Sequence, residues 1–291
     1  HSTSRRLRQM CIRDRSEYAD EDLGRATKGA AQAMLLKTYL YMGGHIDPAY
    51  FAKAYEWGQK FRTEQYETGE YSLNPNYADN FTMAGENGPE SVFEIQYMAE
   101  PTSDYGEGFG FTRGTFTTIL TRCRATALGA GWGFNHPTQN LYDEFEAGDP
   151  RRDATIINPT DDQLDNPEQE IYLGSRYYNR KSAYIEDGIY VTLDHATRSP
   201  VNYRLIRASD VLLMYAEAAL ESGKDIAGAK WALEEVRKRA RGGNDAILPA
   251  FPGYNGYSDN TDDLRKAIRH ERRVELAMEG HRWFDPVSYT H

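Results

Sequence analysis

Residues 267 to 285 read AIRHERRVELAMEGHRWFD. They concentrate two histidines (His270, His281), four acids (Glu271, Glu275, Glu279, Asp285) and four arginines (Arg269, Arg272, Arg273, Arg282). Such a set could hold zinc or run acid–base chemistry. The helical zinc motif H-E-x-x-H needs a second histidine one turn after the first, so that both imidazoles share a face. Position 274 is Val. His270 and His281 are eleven residues apart, a spacing compatible with one helix face, but Gly280 should end the helix before His281. A different role fits better. At about 100° per residue, Leu264, Ala267, Ile268, Val274 and Met278 cluster on one face, and Glu271 and Glu275 fall inside the same arc. A carboxylate on a core face must be paired and hydrogen-bonded. Arginines Arg204, Arg207 and Arg237, with Arg239 beside them, are the expected partners, giving a structural ion-pair lattice of Glu271 and Glu275 with these cations.

Other candidate chemistry is weaker. YGEGFGF (105–111) has glycines but no following Lys-Ser/Thr pair, so it does not read as a phosphate cradle. DDQLDN (161–166) lacks the glycine and distal glutamate of a calcium loop. Cys123 has no nearby histidine to activate it. No G-x-S-x-G, P-loop or dinucleotide fingerprint occurs. No catalytic residue, metal ligand or cofactor is therefore assigned.

The elements that would position a site are mainly helical. Residues 25–42 carry a helical apolar stripe (Ala26, Ala30, Ala33, Leu36, Leu40) that Gly43-Gly44 should stop. DPAYFAKAYEWGQKF (47–61) reads as a second helix with Asp47 as N-cap and Pro48 at its first position. A second pair follows: 208–223, with Val211, Leu212, Tyr215 and Ala219 on one face, and 226–241 behind the cap Asp225. The two pairs form a loose internal repeat of the tetratricopeptide kind. A last helix runs from about Asp262 to Glu279. Between the pairs, 66–206 is rich in Gly, Pro, Asn and Tyr. SVFEIQYM (91–98) alternates as a half-buried strand, GIYVTLD (188–194) suggests another, and Thr138–Glu146 a short helix ended by Gly148. The fold class is thus mainly α: tetratricopeptide-like helix pairs with a long loop-rich insert containing a few short strands.

The chain has 291 residues, is 40% hydrophobic and carries a net charge of -10, which argues against binding to a phosphate backbone and so against nucleic acid. Mean hydropathy is -0.74, with no apolar run long enough to span a bilayer. The chain has 21 tyrosines, 11 phenylalanines and four tryptophans, many of them in loop-like sequence. Exposed aromatic faces with polar rims suit stacking on sugars or contact with a partner.

Six stretches, in order, resemble the SusD/RagB family of outer-membrane nutrient-binding lipoproteins of Bacteroidetes. They are GRATKGAAQAMLLKTYLYMG, NGPESVFEIQY, GWGFNHPTQNLYDEFEAGDPRR, NYRLIRASDVLLMYAEAALESG, ALEEVRKRAR and IRHERRVELAMEGHRWFD. The resemblance spans 23–285 and divides it into a helix pair (23–66), a loop-rich ligand-facing region (67–206) and C-terminal helices (207–285). It implies a lipid-anchored protein on the outer surface of the outer membrane. Its partners would be a SusC-like TonB-dependent transporter and an oligosaccharide or polysaccharide, with no catalysis. Family members extend further at the N-terminus, where the signal peptide and lipidated cysteine lie. HSTSRRLRQMCIRDR at the start and VSYTH at the end resemble translated adapter sequence, so 1–22 and 286–291 are expected to be non-native or disordered tails of a truncated chain. The expected ligand-stacking residues are Tyr105, Phe109, Phe111, Tyr177, Tyr178 and Tyr184, whereas Trp132, inside the family's GWG block, reads as structural. A tetratricopeptide-type scaffold that binds protein or peptide is the alternative function.

Overall fold

The computed structural model describes residues 18–19, 22–99, 113–171 and 175–282. The two expected tails lie almost wholly outside the described residues, as do Tyr105, Phe109 and Phe111.

In chain order the helices are α1 (Lys28–His45), α2 (Tyr50–Phe61), α3 (Thr117–Thr121), α4 (Gln139–Glu144), α5 (Pro150–Thr155), α6 (Pro167–Glu170), α7 (Ala208–Glu221), α8 (Ile226–Arg241) and α9 (Thr261–Glu275). The strands are β1 (Ser91–Ile95), β2 (Ile156–Ile157), β3 (Tyr178–Asn179), β4 (Ile185–Glu186), β5 (Ile189–Tyr190) and β6 (Tyr203–Arg207). They pair only two by two, all antiparallel: β1 with β6, β2 with β3, β4 with β5.

Two helix pairs build the body. Thr27 caps α1, its Oγ1 accepting from Ala30 N at 3.1 Å, and Asp225 caps α8, accepting from Gly228 N at 2.7 Å. Each cap satisfies an N–H that the helix itself cannot. α1 packs on α2, α2 on α7, and α7 on α8 and α9. α7 is the central helix. Every residue from Ala208 to Leu220 is buried, which is why its sequence is apolar nearly all round. Close approach is set by small residues: a Cβ on Gly58 of α2 would lie 2.8 Å from the ring of Tyr215 of α7.

Three expectations need correction. Gly43-Gly44 do not stop α1. The helix runs through them to His45, because Gly43 is where the Phe51 ring lies against it, 2.6 Å from a would-be Cβ. Asp47 caps the turn before α2 instead of the helix, accepting from Ala49 N at 2.9 Å. α9 stops at Glu275, a turn earlier than expected. The Glu275 carbonyl is taken by the Tyr77 hydroxyl (2.7 Å), Lys181 Nζ (3.1 Å) and Arg207 Nη2 (3.2 Å), two of them cations at the negative end of the helix dipole.

The insert between the pairs has its own small apolar cluster: Cys123, Ala125, Leu128, Ile157, Leu164, Tyr178 and Ala183. A third cluster (Phe145, Ile156, Tyr177, Val274, Ala277) joins the insert to α9. The insert is thus fixed to the helical body and presents its loops outward.

Candidate functional site

The charged face of α9 is buried. Glu271 and Glu275 are both 0% exposed. Arg151 Nη1 donates to Glu271 Oε1 (2.5 Å) and Glu275 Oε2 (3.0 Å), and Arg237 Nη1 to Glu271 Oε2 (2.9 Å). Glu275 Oε1 also accepts from Arg207 Nη1 (3.1 Å) and Arg239 Nη2 (2.5 Å). Arg207 then grips Glu279 with two bonds of 2.8 Å and reaches Glu90, and Lys181 Nζ donates to Glu279 Oε1 at 2.6 Å. Asp149 completes the set on Arg151 (2.8 Å). Six carboxylates (Asp149, Glu90, Glu146, Glu271, Glu275, Glu279) thus face five cations (Arg151, Lys181, Arg207, Arg237, Arg239) among the described residues. Burial disfavours ionisation of Glu279, but Arg207 and Lys181 overcome it and hold the carboxyl at about 2. Arg204 stands apart from this lattice. Its guanidinium donates to the carbonyls of Asn202 (3.2 Å) and Thr82 (3.0 Å), with Glu86 and Glu94 each 3.8 Å away. Arg151, the bridge to both glutamates, was not anticipated. It sits on α5, behind the cap Asp149 and Pro150 at the first helical position, a local signal that the sequence does carry.

The histidines belong to the same structural chemistry. His270 lies between Glu144 (2.8 Å) and Glu146 (3.3 Å). Burial opposes its charge, yet the two carboxylates raise it to about 9, so at neutral pH it is an imidazolium with both nitrogens donating. Burial pushes His281 down, and its Nδ1 faces Lys37 Nζ at 3.4 Å. Among the described residues no group of three His, Cys, Asp or Glu side chains is placed to hold a metal ion.

Two described members of the expected aromatic set, Tyr177 and Tyr178, do not present free faces. Tyr177 is 7% and Tyr178 1% exposed. Tyr177 stacks on Tyr142 (4.5 Å, 8°) and its hydroxyl donates to Gln139 Oε1 (2.8 Å). Tyr178 packs on His136 (4.5 Å) and donates to the Glu170 carbonyl. Both rings are packing residues. Tyr184 is half-buried with φ +50°, and its carbonyl accepts from Arg122 Nη2 (2.8 Å) and Val191 N (3.1 Å).

That contact belongs to an open groove of about 900 Å³ between two loop walls. One wall is the segment after α3, with Thr126, Leu128, Gly129 and Trp132. The other is the β4–β5 hairpin and the chain after it, with Ile189, Tyr190, Thr192, Asp194 and His195. The hairpin turns on Asp187-Gly188, both with positive φ (49° and 78°), as a two-residue hairpin turn requires. Arg122, 1% exposed, ties the walls together. Its guanidinium donates to the carbonyls of Ala183 (2.6 Å), Tyr184 (2.8 Å) and Val191 (2.8 Å). The Trp132 backbone is held on α3, its N–H bonded to Ile119 O (2.8 Å) and its carbonyl accepting from Arg124 Nε (2.9 Å). Its indole is 45% exposed, backed at 5.9 Å by Phe116. Trp132 thus combines the structural backbone role expected of its block with an exposed ring on one groove wall, and Ile189 on the other wall is 71% exposed. The signal was in the sequence: a tryptophan between glycines, outside any periodic segment, and an Asp-Gly turn followed by Ile-Tyr.

A rigid helical-repeat body that displays an aromatic-lined groove on irregular loops is the build of a binding protein. The chain belongs to the SusD family, whose model matches residues 43–287. Among curated relatives, it is 28% identical over 270 residues to "SusD-like protein P2" of Formosa agariphila, covering 89% of this chain and 50% of that protein. It is 25% identical over 292 residues to a "SusD-like protein" of Bacteroides ovatus, covering 94% of this chain and 47% of that one. The chain therefore spans about half the length of these curated relatives. Among solved structures, a "Laminarin binding SusD-like protein" superposes with a TM-score of 0.72 at 29% identity, covering 94% of this chain and 57% of that one. "Surface glycan-binding protein A from Bacteroides uniformis" superposes with 0.70 at 26%, covering 94% and 53%.

Proposed function

We propose that this chain binds a glycan in the Trp132 groove, as the ligand-holding part of an outer-membrane nutrient uptake complex that passes oligosaccharide to a SusC-like TonB-dependent transporter. The observation that carries the reading is the Trp132 platform: an exposed aromatic ring across the groove from the exposed Ile189 of the hairpin, with Thr126, Gln163, Thr192 and Asp194 around it to take sugar hydroxyls. Family membership and the names of two relatives, a laminarin-binding and a surface glycan-binding protein, support it. The protein acts by binding without catalysis, and the carboxylates that crowd α9 are occupied with arginines and lysine instead of facing a cleft. In this reading it is held at the outer surface of the outer membrane by a lipid anchor. No helix among the described residues is long and apolar enough to cross a membrane.

The test is affinity electrophoresis of the chain against a polysaccharide panel that includes laminarin, with Trp132→Ala alongside. Retardation by at least one glycan, weakened about ten-fold or more in the variant at unchanged melting temperature, is the expected result. No retardation by any glycan, together with tight binding to a peptide or protein, would replace this reading with the scaffold alternative.

A further inference from the structure

The charges on the groove walls bear on which glycans fit. Two residues lining it carry a fixed charge, Arg122 and Asp194. Arg122 is 1% exposed and each of its three nitrogens donates to a wall carbonyl, of Ala183, Val191 or Tyr184. It cannot turn to a carboxylate or sulfate without opening the wall it holds. Asp194 is its opposite: the side chain is 80% exposed and its partner Arg198 stands at 3.5 Å. His195 is turned to Thr197, its Nδ1 3.0 Å from Oγ1. At the groove's edge, Asp165 Oδ2 accepts from Thr126 N at 2.6 Å and adds a second carboxylate. Asp187 and Glu186 flank the hairpin tip, both exposed. The remaining lining is apolar or uncharged: Ile119, Leu128, Trp132, Gln163, Ile189 and Tyr190 lead it.

We infer that this groove selects uncharged glycans and rejects polyanionic ones, with Asp194 as a specificity-determining residue. The inference rests on the glycan-binding reading. A neutral sugar face stacks on the indole and gives its hydroxyls to the rim. A uronate or sulfated chain meets the exposed Asp194 carboxylate, which Arg198 touches at only 3.5 Å, and among the described lining residues the single guanidinium is the buried Arg122. Discrimination of this kind comes from the repulsive element as much as from the attractive one.

The experiment pairs each neutral backbone with a charged derivative of the same backbone. The 291-residue chain is titrated at pH 8 with laminarin, mixed-linkage β-glucan and galactomannan, with the carboxymethylated form of each, and with alginate and pectate. The expected result is binding to at least one neutral polymer, a loss of roughly ten-fold or more on carboxymethylation, and a neutral-polymer affinity that changes less than about two-fold between low and high salt. Asp194→Asn should raise the ratio of carboxymethylated to neutral affinity by roughly three- to ten-fold, the size of one charge–charge repulsion across a water-rich groove. An anionic polymer that binds as tightly as any neutral one, or a ratio that Asp194→Asn leaves unmoved, would overturn the inference while leaving the glycan-binding reading intact. Absence of binding to every polymer would instead overturn that reading, and this inference with it.

Discussion

Replacing Glu271 by alanine removes a fully buried carboxylate that accepts from Arg151 at 2.5 Å and Arg237 at 2.9 Å. Breaking a buried ion pair by deleting one partner costs about 3–5 kcal/mol, because the other charge stays buried without compensation. Here the cations are not orphaned. Arg151 keeps Asp149 and Glu275, and Arg237 keeps Glu146 and the Pro249 carbonyl. The loss therefore falls at the low end, about 3 kcal/mol. For a chain of this size each kcal/mol moves the melting temperature by about 2–4 °C, so the transition should drop by roughly 6–12 °C. Thermal unfolding followed by far-ultraviolet circular dichroism reads this directly. Glu234→Ala is the control. Its partner Arg241 is near the surface, the carboxylate is 33% exposed, and exposed pairs contribute about 1 kcal/mol or less. A Glu271→Ala melting temperature within about 2 °C of the parent, or a drop no larger than that of Glu234→Ala, would refute the claim that the lattice holds the helices together.

Stability should be greatest between about pH 5 and 6.5. Against burial, His270 and Arg237 hold Glu146 at about 2, as Arg207 and Lys181 hold Glu279. These carboxylates lie below their ordinary 4.5, so their contribution is complete above it and lost as pH falls toward 2. His270, raised to about 9 from 6.5, contributes fully below 6.5 and loses that contribution on the way to 9. Burial lowers Lys181 to about 8, which opposes the loss above pH 8. Melting temperatures should therefore fall between about pH 6.5 and 8, and His270→Gln should flatten that limb; an unchanged limb would remove His270 from the account. Arg122→Met should speed amide hydrogen exchange across 183–191 about ten-fold or more while α7 stays protected, since three wall carbonyls each lose a guanidinium bond and Tyr184 O keeps only Val191 N; equal protection in the variant would contradict that role. Gly58→Ala should lower the denaturant midpoint although helix propensity alone favours alanine by about 1 kcal/mol, because its Cβ would stand 2.8 Å from the Tyr215 ring and overpacking costs about 1–3 kcal/mol.

The helix pairs were legible because each apolar stripe repeats at the helical period and each cap is local, as at Asp225. What the sequence hid depends on partners far along the chain. β6 reads as charged sequence (YRLIR) and becomes a strand only because β1 pairs with it, Glu94 opposite Arg204. On β1 the buried face carries Val92 and Glu94, while Ile95 is 42% exposed. The alternation was visible, but the inward face depends on distant partners: Val92 packs in the main core, and Glu94 meets Arg204 and the Asn202 amide, 3.0 Å from its Oε2. The same holds for the site. Loop composition pointed to aromatics in the insert but could not separate Tyr177 and Tyr178, packed into clusters, from Trp132, left outside. For the lattice, the two glutamates followed from the arc of α9. Their chief partner Arg151 lies 120 residues away from Glu271, and no local rule connects them.

The anchoring of the groove walls has a kinetic consequence. On the proposed glycan-binding reading, Arg122 and the backbone bonds around Trp132 set the surface beforehand, so capture would need no ordering step and would lose little conformational entropy on contact. Association then proceeds at the rate of orientated encounter, and differences between ligands appear in how long each stays. A chain resting on one indole is held in proportion to the few rings that touch it. It leaves without waiting for a loop to open, and a surface of this kind can keep exchanging its cargo with whatever stands next to it.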